Sequence, residues 1–279
     1  MKRLFIIFVG FCISVRLVQA EDEIQSKGYS IPTIDLSKQA HRQIVVDREK
    51  GQYLGHPTTV LLEDKKTMLI VYPKGHGRGG IVYKRSNDGG LTWSSRIPTP
   101  KSWSTSKEVP TLHRVIDASG QKRLIMWSGL YPARLAISEN DGDSWSELKP
   151  AGDWGGIVVM GCLEPLKTGK GNYMAMFHDD GRFFKGAMKR ESNPVFTLFK
   201  TFSKDGGLTW SYPEALLARS DVHLCEPGII RSPDGKQLCV LLRENARRRN
   251  SFVIFSNDEG ENWTNPRELP ASLTGDRHT

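Results

Sequence analysis

The sequence predicts an all-β fold, a β-propeller of four-stranded antiparallel blades, from three observations. One octapeptide, Ser-x-Asp-x-Gly-x-Thr-Trp, recurs four times within the 279 residues. The tryptophans that end the copies are separated by 52, 65 and 53 residues, and a period of this length is typical of propellers and solenoids. The segments between the copies, such as residues 58–73, contain short β-rich runs and almost no helix signals, which favours the propeller.

The octapeptide has the chemistry of a tight turn. Its copies are SNDGGLTW (86–93), SENDGDSW (138–145), SKDGGLTW (203–210) and SNDEGENW (256–263). Asn140 replaces the aspartate in the second copy, and Ser144 and Asn262 replace the threonine in the second and fourth. A side-chain oxygen at the aspartate position accepts hydrogen bonds from free amides of the turn, and glycine supplies positive φ. We therefore interpret the aspartates as structural groups of a hairpin, not as catalytic groups.

This pattern is the Asp-box, or BNR repeat, and the chain resembles the sialidase (neuraminidase) superfamily over roughly residues 50–279. The resemblance implies a six-bladed propeller; the boxes indicate this fold but not its chemistry, since other secreted propellers carry them. Residues 51–279 contain four complete blades and, at 275–279, the start of a fifth, so we expect a C-terminally truncated form. Within the N-terminal segment 21–50, residues 40–50 are a candidate outer strand that closes the ring.

The first twenty residues are typical of an export signal. Lys2 and Arg3 precede the apolar run 4–9, and this run is too short to span a bilayer. No other stretch is apolar enough to span one. We therefore expect a secreted or periplasmic protein with no membrane span after residues 1–20 are removed.

The charge of the chain suits an acidic ligand. Removal of residues 1–20 takes away three basic residues and lowers the formal net charge from +8 to +5. The basic residues are scattered except at 247–249, which argues against a nucleic-acid partner. Cys162, Cys225 and Cys239 have no ligand-like spacing, so neither a disulfide framework nor a zinc site is predicted.

Blade topology separates a structural face from a functional face. In a four-stranded antiparallel blade, the first-to-second and third-to-fourth turns lie on one face, and the boxes are third-to-fourth turns. The first-to-second turns are 63–66, 117–122, 167–171 and 232–237, all of simple turn composition. The opposite face collects the starts of the first strands and the ends of the second strands, where His, Arg, Asp, Lys and Tyr are dense. Because inner strands converge on the axis, we expect these side chains to ring one pocket.

Glu226 and Arg243 are the central pair of this predicted pocket. Glu226 begins the first strand of the fourth blade, and Arg243 ends the neighbouring strand of the same hairpin. Both are therefore expected at the mouth of the pocket. The other candidates for substrate binding on this face are His56, Arg78, Asp179, Arg182 and Arg277.

The resemblance implies roles for these residues. In sialidases a Glu that starts an inner strand polarises a Tyr nucleophile, an Asp acts as acid/base, and three Arg bind the sialic acid carboxylate. A Tyr nucleophile is an exception to the two-carboxylate rule, and the guanidinium fork matches a carboxylate. The resemblance thus assigns catalysis to Glu226 and substrate binding to Arg243. It implies a secreted exo-α-sialidase-like glycoside hydrolase that removes terminal sialic acid or a related acidic sugar from glycans, without metal or cofactor.

The sequence also departs from the superfamily pattern. The superfamily opens its first blade with Arg-Ile-Pro, whereas YSIP (29–32) has Ser30 and LGHP (54–57) has Gly55 and His56, so the first Arg of the triad is absent. Residues 72–80 contain no acid to match the family's Asp, so we expect Asp180, or its neighbour Asp179, to be the catalytic acid. The Tyr nucleophile and the third Arg are expected after residue 279.

Two alternatives follow from these departures. One is another carbohydrate-active enzyme on the same propeller, with His56, His76 and His178 as acid/base groups. The other is a non-catalytic glycan-binding propeller whose pocket lacks a nucleophile.

Overall fold

A computed structural model of the protein describes residues 34–75, 77–184 and 195–271. The chain divides into two units, residues 1–43 and 44–279. In the first unit the described part has a single 3-10 turn, Ala40–Arg42, and the expected export signal lies outside the described residues. All described strands belong to the second unit. No helix in the described part of the chain is long and apolar enough to cross a membrane.

Within the described residues, fifteen strands form four antiparallel sheets, each made of strands consecutive in sequence. Blade 1 contains β1 (Thr58–Leu61), β2 (Met68–Pro73) and β3 (Ile81–Ser86). Blade 2 contains β4 (Pro110–Ile116), β5 (Lys122–Ser128), β6 (Arg134–Ser138) and β7 (Lys149–Pro150). Blade 3 contains β8 (Ile157–Pro165), β9 (Tyr173–Asp179), β10 (Thr197–Ser203) and β11 (Glu214–Ala218). Blade 4 contains β12 (Leu224–Arg231), β13 (Leu238–Glu244), β14 (Phe252–Ser256) and β15 (Arg267–Glu268).

The predicted all-β propeller with antiparallel blades is confirmed, and four blades lie within the described residues. Blade 1 differs from the prediction because it has three strands instead of four. The chain after its box still runs beside β3: the Ser94 amide donates to the Arg85 carbonyl at 2.8 Å, and the Ile97 amide to the Tyr83 carbonyl at 2.9 Å. Two backbone hydrogen bonds therefore hold residues 94–97 beside β3, in the place of a fourth strand. A second short 3-10 turn, Lys101–Thr105, lies between this segment and β4.

Residues 40–50 contain no strand. From residue 44 onward this segment belongs to the second unit, where the Asp47 carboxylate accepts the Arg96 Nε–H at 2.7 Å and the Tyr72 hydroxyl. Residues 44–50 therefore lie against blade 1. Their predicted role as a closing outer strand stays a prediction, because it requires a blade that the described residues do not include.

The boxes form the predicted hairpin locks between third and fourth strands. In the first copy, Asp88 accepts the Ser86 hydroxyl at 2.7 Å, and its two oxygens accept the Thr92 amide and hydroxyl at 2.9 and 2.6 Å. The Trp93 indole N–H donates to the Gly90 carbonyl at 3.0 Å. Asn140 occupies the aspartate position of the second copy and still accepts the Ser144 amide at 2.9 Å.

A residue just after each box adds a bond that the repeat pattern did not include. The hydroxyls of Ser94, Ser146, Ser211 and Thr264, each one position after the box tryptophan, accept a backbone amide of the third strand at 2.9–3.1 Å. The amide of the same residue donates back to the carbonyl of the same partner at 2.8–2.9 Å. This reciprocal pair lies three residues before the start of the fourth strand in blades 2, 3 and 4, and it satisfies both backbone groups of its partner.

Three apolar cores lie between successive blades. The core between blades 2 and 3 is the most aromatic: Trp127, Trp154 and Phe177 are almost fully buried. The rings of Trp154 and Phe177 stack at 5.4 Å, and Phe177 stacks on Phe199 at 5.4 Å. Burying a Phe side chain contributes roughly 1.5–3 kcal/mol, so this cluster stabilises the contact between the two blades.

Arginines at the ends of β4 and β12 tie neighbouring blades together on the box face. Arg231 donates to Glu164 of blade 3 at 2.8 Å and to Glu259 of its own box at 2.6 and 2.9 Å. Arg114 makes the equivalent bonds to an acid of the preceding blade and to its own box. The box face is therefore closed by ion pairs between blades, as expected for a structural face.

The first strands are the innermost strands of the blades. The Thr58 hydroxyl of β1 donates to the Pro110 carbonyl of β4 at 3.1 Å. The Thr111 hydroxyl of β4 donates to the Val159 carbonyl of β8 at 3.1 Å and accepts the Met160 amide at 3.0 Å. These contacts join three consecutive first strands at the centre of the arrangement, and β8 contacts β12 in turn.

Candidate functional site

A cleft of about 390 Å³ lies where the four inner strands meet. All four blades supply part of its wall, from the first residues of each inner strand or the residues just before it. The residues that line it are Tyr53, His56, Pro57, Thr58, Val109, Thr111, Val158, Gly161, Glu226, Pro227 and Gly228. A concave site with mostly apolar walls and a few polar groups is typical of small-ligand sites. The predicted central pocket on the face opposite the boxes is therefore present.

Three non-glycine residues of the cleft have left-handed backbone conformations. The φ angles are 52° at His56, 51° at Val158 and 48° at Glu226. Val158 and Glu226 lie within irregularities of β8 and β12, where the strand register shifts. Left-handed backbone is rare for bulky side chains, and residues held in such conformations cluster at functional sites. Bulges of this kind redirect side chains, here at the wall of the cleft.

Glu226 and Arg243 form a direct ion pair at this wall. Glu226 Oε1 accepts the Arg243 Nη1–H at 2.5 Å. Arg243 Nη2 donates to the Asn245 side-chain oxygen, and Arg243 Nε has no acceptor among the described residues. The predicted proximity of the two residues is confirmed; their catalytic and binding roles stay predictions.

The His178 side chain accepts a hydrogen bond from the backbone of Glu226. The Glu226 amide donates to His178 Nδ1 at 3.3 Å, and the imidazole ring stacks on Phe196 at 5.6 Å. Burial lowers the pKa of His178 to about 3, so the ring is neutral and acts as an acceptor. His178 is therefore unprotonated near neutral pH, and its acid/base role in the histidine alternative stays a prediction. It positions the backbone of Glu226.

The two adjacent aspartates of the β9–β10 loop have different environments. Asp179 is buried, and its Oδ2 accepts the amides of Gly181, Phe183 and Phe184 at 2.7–3.3 Å. This oxygen of Asp179 therefore caps its own loop, and the predicted substrate-binding role of Asp179 stays a prediction. Both Asp180 oxygens accept the Arg182 Nε–H at 2.8 Å, and the Arg182 side chain is half exposed. Asp180 and Arg182 thus remain candidates.

The other predicted residues are spread over the rim. His56 lines the cleft. Arg78 is exposed in the β2–β3 loop and does not line the cleft, so its binding role stays a prediction. His76 and Arg277 lie outside the described residues.

Glu108 was missed by the sequence analysis. It directly precedes Val109 at the start of β4, and only 6% of the residue is exposed. Its Oε1 accepts the Val109 amide at 2.8 Å, and the Val158 amide also bonds the carboxyl. Burial raises the pKa of Glu108 to about 7, and the Glu226 carboxylate adds to this shift, while the two amides and Arg182 oppose it. A buried carboxyl with a raised pKa beside a cleft is a candidate functional group, but no local motif marks it.

The chain matches the family of BNR repeat-like domains over residues 120–274. This match covers more than half of the chain. The chain belongs to the BNR repeat-like domain family. Membership of the sialidase-like BNR propeller superfamily, predicted from the boxes, is thereby confirmed.

Solved structures similar to this BNR repeat-like chain share its fold at low sequence identity. A protein of unknown function from Dyadobacter fermentans has a TM-score of 0.57 and 15% identity, with 81% of this chain and 71% of that chain covered. The Hadza microbial sialidase Hz136 has a TM-score of 0.53 and 18% identity, covering 80% of this chain and 48% of its own. A thermostable family-43 glycoside hydrolase has a TM-score of 0.54 and 10% identity, covering 80% and 73%.

These likenesses establish a propeller of the kind on which glycoside hydrolases are built. This BNR repeat-like chain spans about half of the length of the Hz136 sialidase. No curated protein matches the chain. Within the described residues, no group of three or more His, Cys, Asp or Glu side chains could hold a metal ion.

Proposed function

We propose that this protein is a secreted exo-α-sialidase-like glycoside hydrolase that removes terminal sialic acid or a related acidic sugar from glycans. The observation that carries the proposal is the Glu226–Arg243 ion pair at the wall of the central cleft. Propellers place their binding and catalytic groups at one end of the inner strands. This pair lies at that end, opposite the boxes.

Arg243 is suited to hold the carboxylate of an acidic sugar. Glu226 and Asn245 fix the guanidinium plane through Nη1 and Nη2. Each of these two nitrogens carries a second N–H that can donate to a ligand. Only 13% of the Arg243 side chain is exposed, and a charge-assisted bond to a carboxylate is stronger in such a shielded position.

Glu226 is suited to act beside the anomeric carbon. It is 23% exposed, lines the cleft, and is anchored by its own amide on His178 and by its carboxylate on Arg243. A carboxylate held in this way can polarise a nucleophile or stabilise positive charge that develops in an oxocarbenium-like transition state. Asp180 and Glu108, which flank this region, can each supply the proton for the leaving group.

The remaining parts of the proposal concern the whole protein. The resemblance to sialidases supports a six-bladed ring, of which four blades lie within the described residues. A Tyr nucleophile and a third Arg belong to the blades that would complete this ring, with Arg277 as a further binding residue. Export through residues 1–20 would bring the enzyme to sialylated or otherwise acidic glycans outside the cytoplasm.

The proposal is tested by the hydrolysis of a panel of aryl glycosides by the full-length protein. The panel contains an α-sialoside, two uronic acid glycosides and the matching neutral glycosides. We expect turnover of an acidic glycoside only, and a loss of at least about 100-fold in kcat for Glu226→Gln. The matched control is Glu139→Gln, which removes a carboxylate that is 70% exposed and paired with Arg123 on the box face; it should leave turnover unchanged.

The glycan-binding alternative predicts a different result. If the wild type binds an acidic sugar but turns over none of the panel, the enzyme proposal is contradicted and a lectin-like role is supported. Preference for a neutral glycoside would contradict the assignment of an acidic substrate.

A further inference from the structure

We propose that Glu108, rather than Asp180, donates the proton to the glycosidic oxygen of the departing group. This inference rests on the proposed glycosidase function and names the acid of the same site. Glu108 comes from blade 2, directly before Val109, whereas Asp180 comes from the β9–β10 loop of blade 3. Both Val109 and Val158, whose amides bond the Glu108 carboxyl, line the cleft.

Two glycines lie beside the Glu108 side chain. A Cβ at Gly129 would lie 2.9 Å from Glu108 Cγ, so the side chain packs directly on the backbone of the β5–β6 loop. A Cβ at Gly77 would lie 3.8 Å from Glu108 Oε1. Gly77 therefore places no side chain over this oxygen.

The charges around Glu108 favour a protonated acid. Glu226 on β12 is the negative group that acts on it, and Arg182 on the β9–β10 loop is the positive group. Among the described residues, Gly77 of the β2–β3 loop, Gly129 of the β5–β6 loop and the Val158 amide at the start of β8 also lie beside it. Burial disfavours the carboxylate, and the pKa of Glu108 rises to about 7. General acids work best with a pKa near the operating pH.

Asp180 is less suited to this role. Its carboxylate oxygens are both engaged by Arg182 at 2.8 Å. Its neighbour Asp179 binds the amides of the same loop. Asp180 therefore serves to position Arg182 at the rim.

The proposed step is balanced within the site and water. The glycosidic C–O bond breaks, its electron pair stays on the departing oxygen, and that oxygen takes the Glu108 proton. Water supplies the hydroxyl that finally occupies the anomeric carbon, and its remaining proton returns to the Glu108 carboxylate. Net hydrolysis requires no other reactant.

The test compares Glu108→Gln and Asp180→Asn on aryl glycosides of one acidic sugar with leaving groups of different pKa. Loss of a proton donor lowers the rate of bond cleavage most for substrates with poor leaving groups. For Glu108→Gln we expect a fall of about 1000-fold in kcat/KM for a poor leaving group and less than about tenfold for a nitrophenol-type one. The alkaline limb of the wild-type kcat/KM profile, near pH 7, should disappear in this variant. Asp180→Asn should keep both the leaving-group dependence and the alkaline limb of the wild type.

Each outcome decides the inference. The assignment is overturned if kcat/KM falls equally for all leaving groups in Glu108→Gln, or if Asp180→Asn shows a steep leaving-group dependence. In either case, turnover by the wild type would still support the proposed function. Absence of wild-type turnover on all substrates overturns the function and the donor role together. Folding of each variant is checked by near-UV circular dichroism. A ¹³C-glutamate titration of the wild type by NMR supports Glu108 as the proton donor if one resonance, which is lost in Glu108→Gln, titrates near pH 7. If every glutamate titrates near pH 4–5, the role is overturned.

Discussion

Glu226 Oε1 and Arg243 Nη1 lie 2.5 Å apart although 16 residues separate them in the chain. The hairpin explains this proximity, because Cys225 is the direct strand partner of Arg243. Glu226 itself has a left-handed backbone conformation and lines the cleft. The strand pair thus holds a guanidinium against a carboxylate of the inner wall.

The first prediction concerns the shape of the guanidinium. Arg243→Lys keeps the positive charge but loses the planar fork that bonds Glu226 and Asn245, and lysine does not replace arginine at such sites. We expect KM for an acidic glycoside to rise about 10- to 100-fold, with a smaller change in kcat. Steady-state kinetics test this, with Arg249→Lys on the exposed loop as the control. An unchanged KM in Arg243→Lys would remove Arg243 from the binding site.

The second prediction concerns backbone strain in the cleft. Val158 has a φ of 51°, whereas its neighbour Val159 is fully buried without a positive φ. Val158→Gly relieves strain of about 1–3 kcal/mol and offsets the lost side-chain contacts, so its free energy of unfolding should stay within about 1 kcal/mol of the wild type. Val159→Gly should cost about 3 kcal/mol, because it leaves a cavity. Urea unfolding measures both; equal losses would show that Val158 is unstrained.

The third prediction concerns acid stability of the boxes. Hydrogen bonds from Thr92 and Ser86 lower the pKa of Asp88 to about 2. Its contribution to stability is therefore present above the unfolded value of 3.8 and is lost as the pH falls through about 2. Asp88→Asn, which copies the second box, should lower Tm by only a few degrees and flatten its pH dependence between about 4 and 2.

The reciprocal variant serves as the control. Asn140→Asp should introduce the same acid-dependent loss into the second box, since Ser144 can bond the new carboxylate as it bonds Asn140. Tm values between pH 2 and pH 6 check both variants. Parallel curves for all three proteins would contradict the role of the box carboxylate in acid stability.

The fourth prediction concerns the ion pairs between blades 3 and 4. The side chains of Arg231, Glu164 and Glu259 are each less than 20% exposed. Arg231→Met leaves two largely buried carboxylates without their partner. We expect the free energy of unfolding to fall by about 2 kcal/mol, between the values typical of surface and of buried ion pairs. Arg219→Met, which breaks the exposed pair with Asp221, should cost at most about 0.5 kcal/mol. Denaturant unfolding compares the two variants. Equal losses in the free energy of unfolding would contradict a role of Arg231 in holding blades 3 and 4 together.

The architecture was predictable because its signals are local. Each box fixes a turn through bonds within eight residues, so the four copies mark where third and fourth strands meet. Alternation of turn types then assigns the faces, and the pairing of Glu226 with Arg243 follows from one hairpin. The reciprocal bonds of Ser94 and its counterparts are equally local, yet these residues lie one position beyond the eight-residue repeat.

The rest of the site depends on packing between blades, which a single sequence does not display. Glu108 has no motif around it, and its raised pKa arises from burial and from Glu226, over 100 residues away. Asp179 and Asp180 are adjacent in sequence, and only the path of the following loop decides which one is buried as its cap. The neutral state of His178 likewise arises from burial between blades.

The most direct test of the central claim is the ratio of kcat/KM for an aryl α-sialoside to that for its carboxyl methyl ester, measured in wild type and in Arg243→Gln. If Arg243 grips the sugar carboxylate beside Glu226, the wild type should prefer the free acid by at least about 100-fold, and the variant should lose most of that preference. Equal ratios in the two proteins, or no turnover of the free acid, would contradict the claim.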